Sequence, residues 1–262
     1  MELRDAHVLV TGASGGIGEA LTAAFAARGA RLTVTGRRPD ALAGLAARFG
    51  AAVVAADLSE PDAPHRLLDA AGPVDVLVAN AGLPASGLVA EYSIAEIDRA
   101  LDVNLRAPIV LARLVADGMA ERGRGHIVFM SSLSGKAASG RMALYNATKF
   151  GIRGFALGLR EDLRPMGIGV SAVYPGPVRD GGMFAGAGVH VPRATTRTPG
   201  AVAAATVRAV ERDRAEVTVA PVALRVSTLL GALAPELAAT VARRTGGDRI
   251  MAAVSEGQRG KR

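Results

Sequence analysis

The chain has 262 residues, no cysteine and a formal net charge of +7; half of its residues are hydrophobic, yet only 3% are aromatic. Without cysteine it has no disulfide framework, thiolate metal site, iron–sulfur cluster or cysteine nucleophile, and a chain this long can bury a core without such staples. The longest uncharged run, Val76 to Ala90, is broken by Gly and Pro and is too short to span a bilayer.

From the N-terminus, AHVLVT at 6–11 is an apolar run that ends at Gly12. From Ile17, apolar residues recur at Ala20, Leu21, Ala24 and Phe25 with helical spacing, until Gly29. RLTVT at 31–35 predicts a second strand, and Pro39 opens a helix to Phe49. AVVAAD at 52–57 predicts a third strand, Pro61 to Ala71 a helix, and VDVLVAN at 74–80 a fourth strand. A long helical pattern covers 93–120, with a kink expected at Pro108. GHIVFMSS at 125–132 is a fifth strand, 142–164 a helix, IGVSAVYP at 168–175 a sixth strand and AEVTVA at 215–220 a seventh. The segment 221–262 reads as a helical extension broken at Pro235, with GQRGKR at 257–262 as a frayed, solvated tail. Alternating strands and helices imply a single-domain α/β fold over 1–262. Its parallel, doubly wound sheet of about seven strands has right-handed crossovers and binds ligands at the carboxyl ends of the strands.

The first strand runs into Thr11-Gly12-Ala13-Ser14-Gly15-Gly16-Ile17-Gly18, and a helix follows. Gly12 permits a tight turn, Gly16 and Gly18 let backbone approach a pyrophosphate, and the helix N-terminus supplies N–H donors. A glycine-rich turn between strand and helix is the context for a Rossmann-type dinucleotide site. In NAD sites an acid about 20 residues further on binds the ribose 2′-hydroxyl. Here Gly36-Arg37-Arg38 occupies that place, and no acid lies between Glu19 and Asp40. A guanidinium suits a 2′-phosphate, so NADP(H) is expected over NAD(H), with Arg37 as the main contact and Arg38 in support. The alternative is a pair of solvated arginines in a chain with 31 basic residues.

Further stretches share one pattern. Asn80-Ala81-Gly82 closes the fourth strand, Ser132 precedes the fifth loop, Tyr145 and Lys149 stand four apart on a helix, and Pro175-Gly176 follows the sixth strand. With the T-G-x3-G-x-G turn and Asn104, this resembles the classical short-chain dehydrogenase/reductase family over residues 5–180. The resemblance implies hydride transfer between a nicotinamide and a carbonyl or secondary alcohol. Tyr145 and Lys149 share a helix face. The ammonium, with the positive ring of the oxidised cofactor, is expected to lower the phenol's pKa from about 10 toward the general acid–base range. Ser132 would polarise the carbonyl oxygen; strand alternation favours it over Ser131, and Ser134 is a weaker competitor. By resemblance Asn104 anchors a water, Lys149 also holds ribose hydroxyls, and Asp57 holds the adenine amine; alternatively Asp57 caps the next helix. The cofactor set is completed by Ser14, Gly15, Ile17, Leu58, Asn80, Ala81, Gly82, Pro175, Gly176 and Val178. Asp180 stands where the family commonly has a cofactor-contacting Thr, and the helical 221–262 replaces a short end often used in tetramer packing. A homodimer through the long helices, or a homotetramer, is expected.

The loop GGMFAGAGVHVP, within a substrate segment 181–200, carries Met183 and Phe184, and Leu133 and Met142 flank the Ser and Tyr. They predict an apolar carbonyl or alcohol substrate, unless the loop hydrophobes simply pack on the core. No metal is expected. No charged segment precedes an apolar stretch at the N-terminus, so a cytoplasmic protein is expected. Residues 221–262 carry seven Lys/Arg against three acids, whereas the first 220 carry 24 against 21. Nine aromatic residues and no recognised module argue against a nucleic-acid partner. The basic C-terminal excess is read as a solvated face, ahead of peripheral lipid attachment by amphipathic helices near 222–244. A non-catalytic NADP-binding regulator or scaffold is the alternative function; the intact Asn104, Ser132, Tyr145 and Lys149 argue against it.

Overall fold

The computed structural model describes residues 1–181, 192–244 and 247–261. β1 (His7–Thr11) lies between β2 (Arg31–Gly36) and β4 (Val76–Ala79), and β3 (Ala52–Ala55) flanks β2. β5 (Gly125–Met130), β6 (Ile168–Pro175) and β7 (Glu216–Val219) continue beyond β4. Every pairing is parallel, and the order is β3-β2-β1-β4-β5-β6-β7. The chain winds outward in opposite directions from β1 and β4, which opens a crevice at their carboxyl ends.

Strand alternation divides the core in two. Val8, Val10, Val78 and Val128 pack with Leu21 and Phe25 of α1 (Gly16–Ala26), Leu42 of α2 (Pro39–Phe49) and Val202 of α7 (Pro199–Glu211). On the other face, Leu9, Leu77, Ile127 and Phe129 pack with Leu67 of α3 (Ala63–Ala71), Leu111 of α5 (Ala107–Glu121) and Ile152 of α6 (Ala143–Leu163). The sequence reading placed no helix at α7, although Thr198 caps it by accepting from the Ala201 N–H. The buried His7 and His126 hold strands together through their rings. The His7 ring meets Pro73 O and Thr33 Oγ1, and the His126 ring meets Ser171 Oγ.

The long helical pattern at 93–120 is not one helix kinked at Pro108. α4 (Ile94–Leu101), started by a Ser93–Glu96 capping box, passes into a π-turn at Asp102–Arg106 before α5 begins. Pro108 sits in the first turn of α5, where its missing N–H is tolerated. The extension forms α8 (Val222–Leu233) and α9 (Pro235–Arg244), divided at Pro235 as expected. The expected solvated tail is instead the end of α10 (Gly247–Gln258) and a short turn after it. Val254, Ser255 and Gln258 are buried, and the Ser86 hydroxyl donates to Gln258 Oε1 at 2.6 Å. Among the described residues, no helix is long and apolar enough to cross a membrane.

Phe129 is fully buried at the centre of the sheet and meets Phe155 edge-on, with ring centroids 5.7 Å apart. Phe129→Ala removes that packing and leaves a cavity, so it should cost about 3–5 kcal/mol. The check is a lower denaturant midpoint with an unchanged slope.

Candidate active site

The glycine turn leaves β1 through Gly12, which adopts a left-handed φ of 63° against Ala81. The Thr11 hydroxyl accepts from the N–H groups of Asn80 and Ala81, both at 3.0 Å. The Asn80 amide in turn donates to the carbonyls of Thr11 and Gly12. The end of β4 is thereby fastened to the turn. The structure changes the reading of two glycines. A Cβ on Gly18 would lie 2.2 Å from Gly12 O, so this glycine lets α1 pack on its own strand. A Cβ on Gly16 would lie 2.5 Å from the carbonyl oxygen of Gly181, so this glycine accommodates the chain that follows β6. Gly15 caps α1 without any side-chain hydrogen bond. The first-turn N–H groups therefore have no capping side chain, a fit for an anionic pyrophosphate.

Arg37 and Arg38 follow β2 beside this turn. Arg38 donates to Ser14 O at 2.6 Å, and half-exposed Arg37 lies 4.0 Å from Asp57. Asp57 does not cap α3, whose N-cap is Asp62; it binds the N–H and hydroxyl of Ser59 and pairs with Arg99 at 3.4 Å. Partial burial opposes ionisation of Asp57, but Ser59, Arg99 and Arg37 together hold its carboxyl below the usual range. Leu58 is buried in the core beside α3.

Tyr145 and Lys149 project from the first two turns of α6, both almost completely buried. The Lys149 ammonium donates to Met130 O at 2.9 Å and stands 5.6 Å from the centroid of the Tyr145 ring. Burial brings its pKa down to about 8. The expected lowering at Tyr145 does not occur in the protein alone. Burial pushes the phenol up to about 12, and the neighbouring Ser132 hydroxyl only partly opposes this. Ser132 starts the short turn Leu133–Gly135, accepts from the Ser134 N–H and lines the same cavity as Tyr145. Ser131 also touches that cavity, but its hydroxyl donates to Lys149 O.

Asn104 occupies the π-turn, a feature frequent at functional sites. Its side chain is fully engaged with Leu83, accepting from the N–H at 2.7 Å and donating to the carbonyl at 3.0 Å. Its own carbonyl lacks an α-helical donor, because the residue four positions on is Pro108. Val178 is buried and bridges to Arg197. Asp180 adopts a φ of 59°, pairs with Arg179 and is largely exposed. Met183 and Phe184, expected to meet substrate, lie outside the described residues.

A cavity of about 1110 Å³ joins Ser132, Tyr145 and Lys149 to part of the expected cofactor set, while Gly12, Ser14, Gly15, Gly16, Gly18, Arg37, Arg38, Asp57, Leu58, Ala81 and Asn104 do not line it. It runs from Ile17, Asn80 and Gly82 past Pro175, Gly176 and Val178 to Ser132, Tyr145 and Lys149, and it is also lined by Leu133 and Met142. Its far wall comes from α8, α9 and α10, including Leu224, Gly231, Leu237 and Val254. The sequence reading missed these wall residues: apolar periodicity indicated helices there but not which face turns inward.

The family model for short chain dehydrogenases matches residues 6–188. The ketoacyl reductase HetN of Nostoc sp. is 36% identical over 222 residues, covering 81% of this chain and 77% of that protein. Dehydrogenase/reductase SDR family member 7B of Xenopus tropicalis is 30% identical over 260 residues, covering 90% of this chain and 84% of that protein. Among solved structures, a short-chain dehydrogenase from Sphingobium yanoikuyae in complex with NADPH matches with a TM-score of 0.76 and 31% identity, over 88% of this chain and 95% of that one. The bulky-bulky ketone specific alcohol dehydrogenase from Comamonas testosteroni matches with a TM-score of 0.72 and 29% identity, over 81% of this chain and 85% of that one.

A phenol held near 12 stays protonated in the folded protein over the range in which the unfolded chain begins to ionise. Between the ordinary value of about 10 and that pKa the unfolded state binds fewer protons, so this group's contribution to stability falls as pH rises. The wild-type minus Tyr145→Phe tyrosinate difference spectrum of the cofactor-free protein should accordingly show no transition near pH 10 and should rise near 12.

Proposed function

The chain belongs to the short-chain dehydrogenase/reductase family and is an oxidoreductase acting on CH–OH or C=O groups, and on that premise we propose that it transfers hydride between NADP(H) and an apolar ketone or the corresponding secondary alcohol, with Tyr145 as general acid and base. The observation that carries this reading is the cavity in which Tyr145, Ser132 and Lys149 meet an apolar wall.

A bound nicotinamide dinucleotide supplies or accepts the hydride. In reduction, Tyr145 Oη gives its proton to the substrate's carbonyl oxygen; the buried phenol is protonated and ready to do so. The Ser132 hydroxyl already accepts from the Ser134 N–H, so it keeps its own proton to donate to the same oxygen. Lys149, still mostly an ammonium at neutral pH and 5.6 Å from the centre of the Tyr145 ring, favours the tyrosinate left behind and holds the ribose hydroxyls. With its side chain committed to Leu83, Asn104 offers a water its main-chain carbonyl. Such a water would carry the proton between Lys149 and solvent.

The uncapped start of α1 takes the pyrophosphate, with Ser14, Gly15, Gly16 and Ile17 around it. Arg37 and Arg38 stand at the end of β2 where a ribose 2′-phosphate would lie, and the NADPH complex of the Sphingobium relative agrees with that preference. Asp180 is largely exposed and pairs with Arg179, which lessens the repulsion its charge would exert on the phosphates. The substrate side is the apolar wall with Leu133 and Met142. The same reading takes the chain as one domain, cytoplasmic, and a homodimer or homotetramer, with a dimer formed through α6, whose outward face exposes Phe150 and Leu157.

Tyr145→Phe should lower kcat with NADPH and a bulky apolar ketone by about 10²–10⁴ or more. NADPH binding, followed by nucleotide fluorescence, should stay near that of the wild type; near-normal kcat would refute the assignment. Arg37→Asp should raise KM for NADP much more than for NAD, and an unchanged ratio of the two kcat/KM values would remove the cofactor assignment.

A further inference from the structure

Seven of the fourteen exposed large hydrophobic side chains among the described residues fall within residues 222–241. Scattered apolar side chains need no explanation, but a cluster of this kind marks a contact surface. On α8, Val222, Val226, Leu229 and Leu233 follow one another at helical spacing and form a single outward stripe. The opposite face, with Leu224, Thr228 and Gly231, lines the cavity above Tyr145. On α9, Leu237 and Val241 stand one turn apart and are both exposed. These two, with Leu230, also line the cavity. Three side chains exposed on the outside of these helices thus also line the cavity that holds the reactive phenol.

The charge around this stripe is mainly basic, with exposed Glu236 the one acid on α8 and α9. Arg225 of α8 and Arg244 of α9 lie beside the stripe by helical position and are exposed. The segment 221–262 carries a net +4. A second copy docked about a two-fold axis on this face would set one such basic segment against the other. An anionic lipid surface satisfies both features: it accepts the apolar stripe and attracts the arginines. The sequence alone favoured a solvated face because its charge excess was modest; the outward stripe supplies the second signal that stable attachment needs.

We propose that α8 and α9 lie flat on an anionic lipid surface. The Val222–Leu233 stripe enters the boundary between headgroups and acyl chains, Arg225 and Arg244 meet anionic headgroups, and Leu230, Leu237 and Val241, which also line the cavity, lie at the lipid surface. A lipophilic substrate could then reach Tyr145 without crossing water.

The test is sedimentation of the full chain with vesicles of phosphatidylcholine alone or mixed with phosphatidylglycerol, across a salt series and without turnover. The expected result is preferential binding to the anionic vesicles, weakened by salt. The double variant Leu229→Asp, Leu233→Asp should lose roughly tenfold or more of that binding with an unchanged circular dichroism spectrum. If that variant does not fold, Arg225→Glu with Arg244→Glu, which alters only exposed charges, should abolish the preference for anionic vesicles. Absence of vesicle binding, or equal binding by wild type and the folded variants, overturns the proposal. Loss of a dimer in the variants, seen by light scattering and without vesicle binding by the wild type, would assign the face to a second copy and overturn it equally.

Discussion

A phenol and an ammonium buried side by side set the terms for the rest of this molecule. Removing Tyr145 and Lys149 from water penalises the charged form of each, so the phenol rises to about 12 and the amine falls to about 8. Near neutral pH the phenol thus stays protonated, while the amine keeps most of its charge, until a second positive charge arrives next to them. That arrangement supplies a proton at the carbonyl end of a reduction and awaits the oxidised nicotinamide for the reverse. It works only if both groups stay dry and fixed, and the surrounding structure meets both requirements.

Fixing comes from the sheet. Lys149 is tied to Met130 at the end of β5, and Ser131 is tied back to Lys149 O, so the strand end and α6 hold one another. Behind them Glu216 on β7 accepts from Lys136, Arg153 and the Tyr174 hydroxyl, which joins the turn after Ser132 to α6 and β6. On the cofactor side, Thr11 and Asn80 fasten the glycine turn to β4, and Asn104 holds the chain just beyond through Leu83. Dryness comes from the extension. α8, α9 and α10 wall the cavity, and buried Gln258 anchors the last of them through Ser86. The same helices turn an apolar stripe outward, so the parts that keep water from the phenol also provide the surface from which an apolar substrate could enter.

Much of this was legible in the residues. All seven strands lie where apolar runs placed them; the five inner ones are buried on both faces and have little freedom in composition, whereas the edge strands β3 and β7 are only partly buried. The Tyr145–Lys149 spacing and Ser132 led to one cavity, because helix and strand periodicities determine which side chains share a face. The failures have physical causes. α7 is built largely from Ala and Val, whose size contrast is too weak to mark a buried stripe. The irregularity near Pro108 is a change of hydrogen-bond register, a property of the backbone that side-chain periodicity does not report. Only the last residues of α10, with the turn after them, read as a tail, because Gln258 is polar and is buried and satisfied only by the fold. The expected lowering at Tyr145 counted the oxidised nicotinamide beside the ammonium but not the cost of burial, which raises the phenol in the protein alone.

The central claim is that burial keeps Tyr145 neutral and that positive charge at the nicotinamide position releases its proton. The most direct measurement is the tyrosinate difference spectrum, wild type minus Tyr145→Phe, recorded in the presence of saturating NADP⁺. The account predicts a midpoint well below the value of about 12 that holds without cofactor. A midpoint that stays near 12 with the nucleotide bound would contradict it.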